Sequence, residues 1–233
     1  MAIKALKPVR TGNTTGVITQ IASAQTAFGA YVARVASKTA KGAPLEDTEG
    51  GIGFALEDSG KHTYDGFYDA YDAMPIATSG VVNALVTTIA DTSIVAGDFL
   101  DVVDLTSGTN TSPIGVLAES GSDAGDTKVA ATSVAQALED VTLTAAGTYT
   151  QTFTSIVAGD TTIAGLTHAT LGLMIGDYII IRDADGNALQ LNRVASLPSA
   201  TSVGLLIPAS IAATGGGGTD YVHRVAQIKV KIL

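Results

Sequence analysis

The sequence predicts an all-β protein built from short antiparallel strands, and three observations predict it. Alanine, glycine and β-branched residues crowd a chain with no tryptophan and 5% aromatics, a composition suited to pleated, half-buried surfaces. Short apolar runs recur between turn signals at about 8–12-residue spacing, the grammar of a barrel or sandwich. At the C-terminal end Ile228, Val230 and Ile232 alternate with Gln227, Lys229 and Lys231, a strand with one buried and one basic face. The expected architecture is a small barrel or sandwich domain, a second small β domain and an extended N-terminal arm.

Taken in order, residues 1–20 are polar and broken by Pro8, Gly12 and Gly16, which reads as an extended arm. In residues 21–37, Ile21, Phe28, Val32 and Val35 would fit one helical face, but FGAYVARVA also reads as a strand, and strand is preferred. Strand-like runs follow at 51–57, 74–89, 99–105, 113–120 and 127–138. Beyond these come 141–153, 177–194, 202–208 and 221–233, with GGGG at 215–218 as a flexible loop. The phrase SIVAGD occurs at 93–98 and again at 155–160. An internal repeat and chance recurrence of turn-and-strand grammar both account for it.

Charge divides the chain at the same places. Residues 1–45 hold six bases and no acids, residues 46–140 hold seventeen acids and two bases, and residues 141–233 hold five of each. Three segments follow: a basic arm with the first strand (1–45), a first β domain (46–138) and a second with the C-terminal strand (139–233). The net charge of −9 argues against a general nucleic-acid binder. Hydrophobic residues at 46% and charged residues at 15% provide for a core rather than a disordered tail.

Catalytic signatures are missing. The absence of cysteine removes disulfides, thiol nucleophiles and Cys-ligated metals. Gly51-Ile52-Gly53 starts like a dinucleotide loop, but Leu56 stands where the third glycine belongs. His62, His168 and His223 are far apart in sequence and away from acidic clusters, so each reads as a loop or strand histidine. Asp183-Ala184-Asp185-Gly186-Asn187 resembles part of a calcium loop, but Val194 stands where the twelfth-position glutamate is needed. A hairpin turn explains that pentapeptide more simply. Asp98, Asp101 and Asp104 alternate faces along a strand and read as solvated edge charges. No enzyme, cofactor or metal is expected. No apolar run reaches membrane-spanning length, and the first residues lack the apolar stretch of a secretion signal, so folding in a cytoplasm is expected.

The segment YDGFYDAYDAM (64–74) stands out, gathering Tyr64, Phe67, Tyr68 and Tyr71 with three aspartates. Its rings either fold back onto the β core or form an interface patch, since tyrosine offers contact area at small entropic cost.

The pieces GIGFALEDS, MPIATSGVV, GDFLDVVDL and PIGVLAES, at 51–59, 74–82, 97–105 and 113–120, resemble in kind and order the capsid cement, or decoration, proteins of tailed double-stranded DNA viruses. The resemblance covers roughly residues 48–135, under half the chain, through short motifs. It implies a virion protein on the outer surface of an icosahedral capsid, made in the host cytoplasm. Its partners would be the major capsid protein and itself as a homotrimer, with no nucleic acid, membrane or small-molecule substrate. The expected contact residues are Lys4, Lys7 and Arg10 of the arm and Tyr64, Phe67, Tyr68 and Tyr71 of the aromatic segment. Another virion β protein (tail tube, head–tail connector or capsid spike) shares this grammar, as does a cellular adhesin or glycan-binding module.

Overall fold

The computed structural model describes residues 12–42, 51–57, 66–88, 93–102, 115–120, 133–143, 150–182, 188–210 and 221–233. Among these the regular structure is all strand. The first half contributes β1 (Gly12–Ala22), β2 (Thr26–Ala27), β3 (Tyr31–Ala36), β4 (Thr39–Gly42), β5 (Gly51–Ala55), β6 (Phe67–Tyr68), β7 (Ala73–Val86), β8 (Ser93–Ile94), β9 (Phe99–Val102), β10 (Leu117–Glu119) and β11 (Ala135–Ala137). The second contributes β12 (Val141–Thr142), β13 (Thr150–Thr152), β14 (Thr162–Ala164), β15 (Tyr178–Arg182), β16 (Ala188–Ser199), β17 (Ser202–Leu205) and β18 (Tyr221–Ile232).

One large mixed sheet holds most of them, and β7 organises it. The first part of β7 pairs with β1 and β5, and the last part with β18 and β10. The remaining partners close each set on itself. One ring runs β7–β1–β4–β3–β5, the other β7–β18–β11–β9–β10, and both return to β7. Closing a ring leaves no unpaired edge, the hazard of open sheets. Two pairings, β1 with β4 and β7 with β10, are parallel, so the sheet is mixed rather than wholly antiparallel. Other strands intervene in each case, as the long return of a parallel pair requires.

A continuous core fills the rings, from Ala22, Phe28 and Phe54 through Met74 and Ile76 to Leu100, Leu117, Ile228 and Val230. Without tryptophan, the bulk comes from edge-to-face aromatic pairs: Phe28 with Tyr68 at 4.9 Å and Tyr31 with Phe54 at 5.1 Å between ring centres. Each such pair adds about 0.5–1.5 kcal/mol beyond the area it buries.

Part of the segment expected as an extended arm is strand. Residues 12–20 belong to β1, which pairs with β7 from Gly12 opposite Val81 to Ile21 opposite Ala73. The glycines that read as breakers sit at register shifts within the ladder, where glycine marks a bulge in a continuing strand. Residues 1–11 lie outside the described residues, as do GGGG at 215–218 and the Asp183–Asn187 turn. The 21–37 segment takes the strand alternative as the end of β1, then β2 and β3.

The expected boundary after residue 138 is not a break in the sheet. β18 serves both sides of it: Tyr221–Val225 pair with β15, and Ala226–Lys231 pair with β7. A second apolar cluster joins Ala27, Phe67, Leu85, Val116 and Ala118 to Tyr178, Ile180, Leu191 and Val225. A third lies within the later strands, around Ile156, Ile163, Leu171, Ile179, Val203 and Val222. The C-terminal segment thus packs on the first through both a shared strand and a shared core. The alternation expected of β18 is present, with Ile228 and Val230 buried and Lys229 and Lys231 exposed.

Candidate contact surface

Both SIVAGD copies fold into the same hydrogen-bonded turn. In the first, the Asp98 N–H donates to the Val95 carbonyl at 3.0 Å, and the Val95 N–H donates back to Asp98 Oδ2 at 2.8 Å. Gly97 N–H donates to the Ala137 carbonyl and Ala137 N–H to the Asp98 carbonyl, both at 2.8 Å. One aspartate thereby closes the turn with its side chain and docks it on the facing strand with its backbone. In the second copy Val157, Gly159 and Asp160 repeat every bond, with Ala209 as the facing residue and distances of 2.7–3.0 Å. Met174-Ile175-Gly176-Asp177 makes a third such turn, against Val194. In all three the glycine has positive φ, from 94° to 106°, where it carries no Cβ penalty.

A fourth turn obeys the same pattern with one change. Asp72 N–H donates to the Asp69 carbonyl at 3.1 Å, and Asp69 N–H to Asp72 Oδ2 at 2.8 Å. Tyr71 N–H donates to the Ala22 carbonyl at 2.7 Å, and Ala22 N–H to the Asp72 carbonyl at 2.8 Å. Here Tyr71 holds the position that glycine holds in the other three. Its φ is +76°, the one non-glycine residue with positive φ among the described residues. A tyrosine held there costs on the order of 1–3 kcal/mol. Its ring gains no burial in return, since Tyr71 is 87% exposed.

The aromatic segment therefore divides. Phe67 and Tyr68 are 7% and 0% exposed, so the contact surface expected of them is corrected to core. Tyr68 sits edge-on to Phe28 and donates its hydroxyl to the Leu56 carbonyl at 2.5 Å, while Phe67 meets Tyr178 edge-on at 5.7 Å. A two-residue strand paired with β2 aims them inward. Tyr71 is the expected contact residue that stands in solvent. Lys4, Lys7, Arg10 and Tyr64 lie outside the described residues.

Polar side chains at the junction serve the fold. Tyr178 donates its hydroxyl to the Gly66 carbonyl at 2.9 Å, and the Arg193 guanidinium lies 5.7 Å from its ring centre. Burial pushes the Tyr178 hydroxyl well above the ordinary phenol range, with Arg193 pulling it down and Glu57 adding to the rise. A pKa raised on folding gives stability that is complete below the unfolded value of about 10 and is lost as pH climbs above it. Unfolding midpoints measured by denaturant are therefore expected to fall above about pH 10, and Tyr178→Phe to flatten that decline. Gln190 and Asn192 use their amides to bond the backbone of Ile207, Pro208 and Ser210, satisfying a segment that has no strand partner there.

Among the described residues no group of three or more His, Asp or Glu side chains is placed to hold a metal ion. Of the aspartate trio, Asp98 closes its turn and Asp101 Oδ1 accepts from the Val102 N–H at 2.8 Å; Asp104 lies outside the described residues. β9 lies between β10 and β11, so Asp101 is not on a sheet edge as expected. His168 is half-buried and His223 fully buried within β18. No helix of the described residues is long and apolar enough to cross a membrane. No protein-family model matches the chain, and no curated protein matches it.

Proposed function

We propose that the protein is a virion structural protein of the cement type, binding the outer surface of an icosahedral capsid and clamping neighbouring coat subunits. The observation that carries this reading is the arrangement of the four sequence pieces resembling such proteins. They supply β5, β7, the Asp98 turn with β9, and β10, and these strands lie side by side in the order β5–β7–β10–β9. Pieces scattered over seventy residues of sequence thus form one contiguous body, as a shared domain would require. In this reading the basic residues Lys4, Lys7 and Arg10 meet the shell, and Tyr71 at the head of β7 makes a contact outside its own molecule. An aromatic tip supplies contact area and a basic segment supplies attraction to an acidic shell.

The test is quantitative mass spectrometry of density-purified particles from the source culture, normalised to the major capsid protein. Abundance near that of the coat is the expected result. A few copies per particle would assign the protein to the connector or tail, and absence from particles would overturn the viral reading. Removal of residues 2–11 tests the arm; a longer truncation would cut into β1.

A further inference from the structure

The Asp69–Asp72 turn and the outer face of the β9–β11–β18 sheet are complementary in charge and shape of side chain. The turn presents an exposed tyrosine beside the exposed carboxylate of Asp69. The sheet face presents a cross-strand row in which Phe99 is paired with Gln136 and Gln136 with Lys231. Phe99 is 38% exposed, the neighbouring Leu138 is 43% exposed and Lys231 points to solvent. Phe99 and Lys231 stand two strands apart on the same face, about 10 Å from backbone to backbone, a spacing that lets one aromatic ring lie over Gln136 with an edge-to-face contact to Phe99 and a cation–π contact to Lys231. Asp69 is of the right sign to pair with the same lysine.

The two surfaces lie well apart along β7. The turn ends at Asp72, immediately before Ala73, and the row continues to Val81, which is paired with Lys231. At roughly 3.3 Å per residue those positions are about 26 Å apart along the strand, beyond the reach of one side chain. A molecule therefore cannot satisfy its own seat. We propose that Tyr71 and Asp69 of one copy dock on the Phe99–Gln136–Lys231 row of a second copy of this chain, giving a head-to-tail contact. Such heterologous contacts close into a ring or extend into a filament, depending on the rotation between copies. The role accounts for a tyrosine standing at a backbone position where glycine serves the other three turns. The ring is needed outside the molecule.

The experiment is sedimentation velocity on the purified full-length protein over a wide concentration range, paired with thermal melts. The wild type is expected to self-associate reversibly, less so at high salt. Tyr71→Gly is expected to weaken association about tenfold or more while raising the melting temperature of the dilute, monomeric protein, since it removes the positive-φ penalty and no contact buried within the monomer. Asp69→Lys and Lys231→Glu are each expected to weaken association, and the double variant to restore it. A wild type that stays monomeric throughout, a Tyr71→Gly protein that associates as the wild type does, or charge reversals that fail to compensate would overturn the proposal. A lowered melting temperature in Tyr71→Gly at concentrations where both proteins are monomeric would do so as well, by assigning the ring a role inside its own molecule. These readouts use purified protein alone, so their failure is distinct from absence of the protein from virus particles.

Discussion

Gly53→Ala is expected to lower stability by about 2–6 kcal/mol, from a strained backbone plus an overpacked contact. Gly53 lies in β5 opposite Val32 of β3, with φ +145°. A Cβ there would overlap the carbonyl oxygen of Ala77, in the strand that β5 must pair with to close its ring. Backbone cannot rotate aside as a side chain can, so the β5–β7 ladder must shift. Gly97→Ala is the control. Its φ of +106° is also positive, but an added methyl meets nothing within 4 Å, so only the conformational penalty of about 1–3 kcal/mol applies. Urea unfolding would show a much lower midpoint for Gly53→Ala. Equal losses in the two variants would refute the close approach of β5 to β7.

Asp177→Ala is expected to cost about 3–5 kcal/mol, about twice the effect of the same change at Asp98. Both carboxylates close equivalent turns. Asp177 is also the ion-pair partner of Arg224 at 3.5 Å, with a side chain only 5% exposed. Its loss strands a largely buried guanidinium, which costs more than the bond itself contributes. Asp98 is partly solvated, and its removal forfeits one charge-assisted bond at about 1.5–3 kcal/mol. Comparing the two by chemical denaturation separates what the turn requires from what the junction requires. Similar losses would show that the Asp177–Arg224 pair adds little to the turn.

The resemblance of these turns was half legible in the chain. Two of them repeat SIVAGD letter for letter, and Gly-Asp marks the third at Gly176-Asp177. The fourth was hidden because Tyr71 stands in the glycine's place. No rule of turn composition selects Asp-Ala-Tyr-Asp, since the position disfavours a residue with a Cβ. The aromatic segment is unusual in composition, yet its spacing does not say which rings turn inward. Phe67 and Tyr68 are adjacent and both buried, because a two-residue strand is covered on both faces, one by Phe28 and the other by Tyr178. Alternation works where one face meets water, and it fails where both are covered.

The sequence by itself determined the all-β class, the places of most strands, the two-faced C-terminal strand and the Gly-Asp turns. Each follows from local physics: β-branched composition, period-two patterning, and glycine's access to positive φ beside an aspartate that bonds nearby backbone. Only the tertiary structure decided that Gly12 and Gly16 lie within a strand rather than a free arm, that β7 serves two rings, and that β18 joins the segments on either side of residue 139. These depend on pairings between residues far apart in the chain, and period-two patterning records which way a side chain faces but not which strand lies beside it. The same holds for Tyr71: its exposure and its strain come from the docking of its turn on Ala22, some fifty residues earlier in the chain.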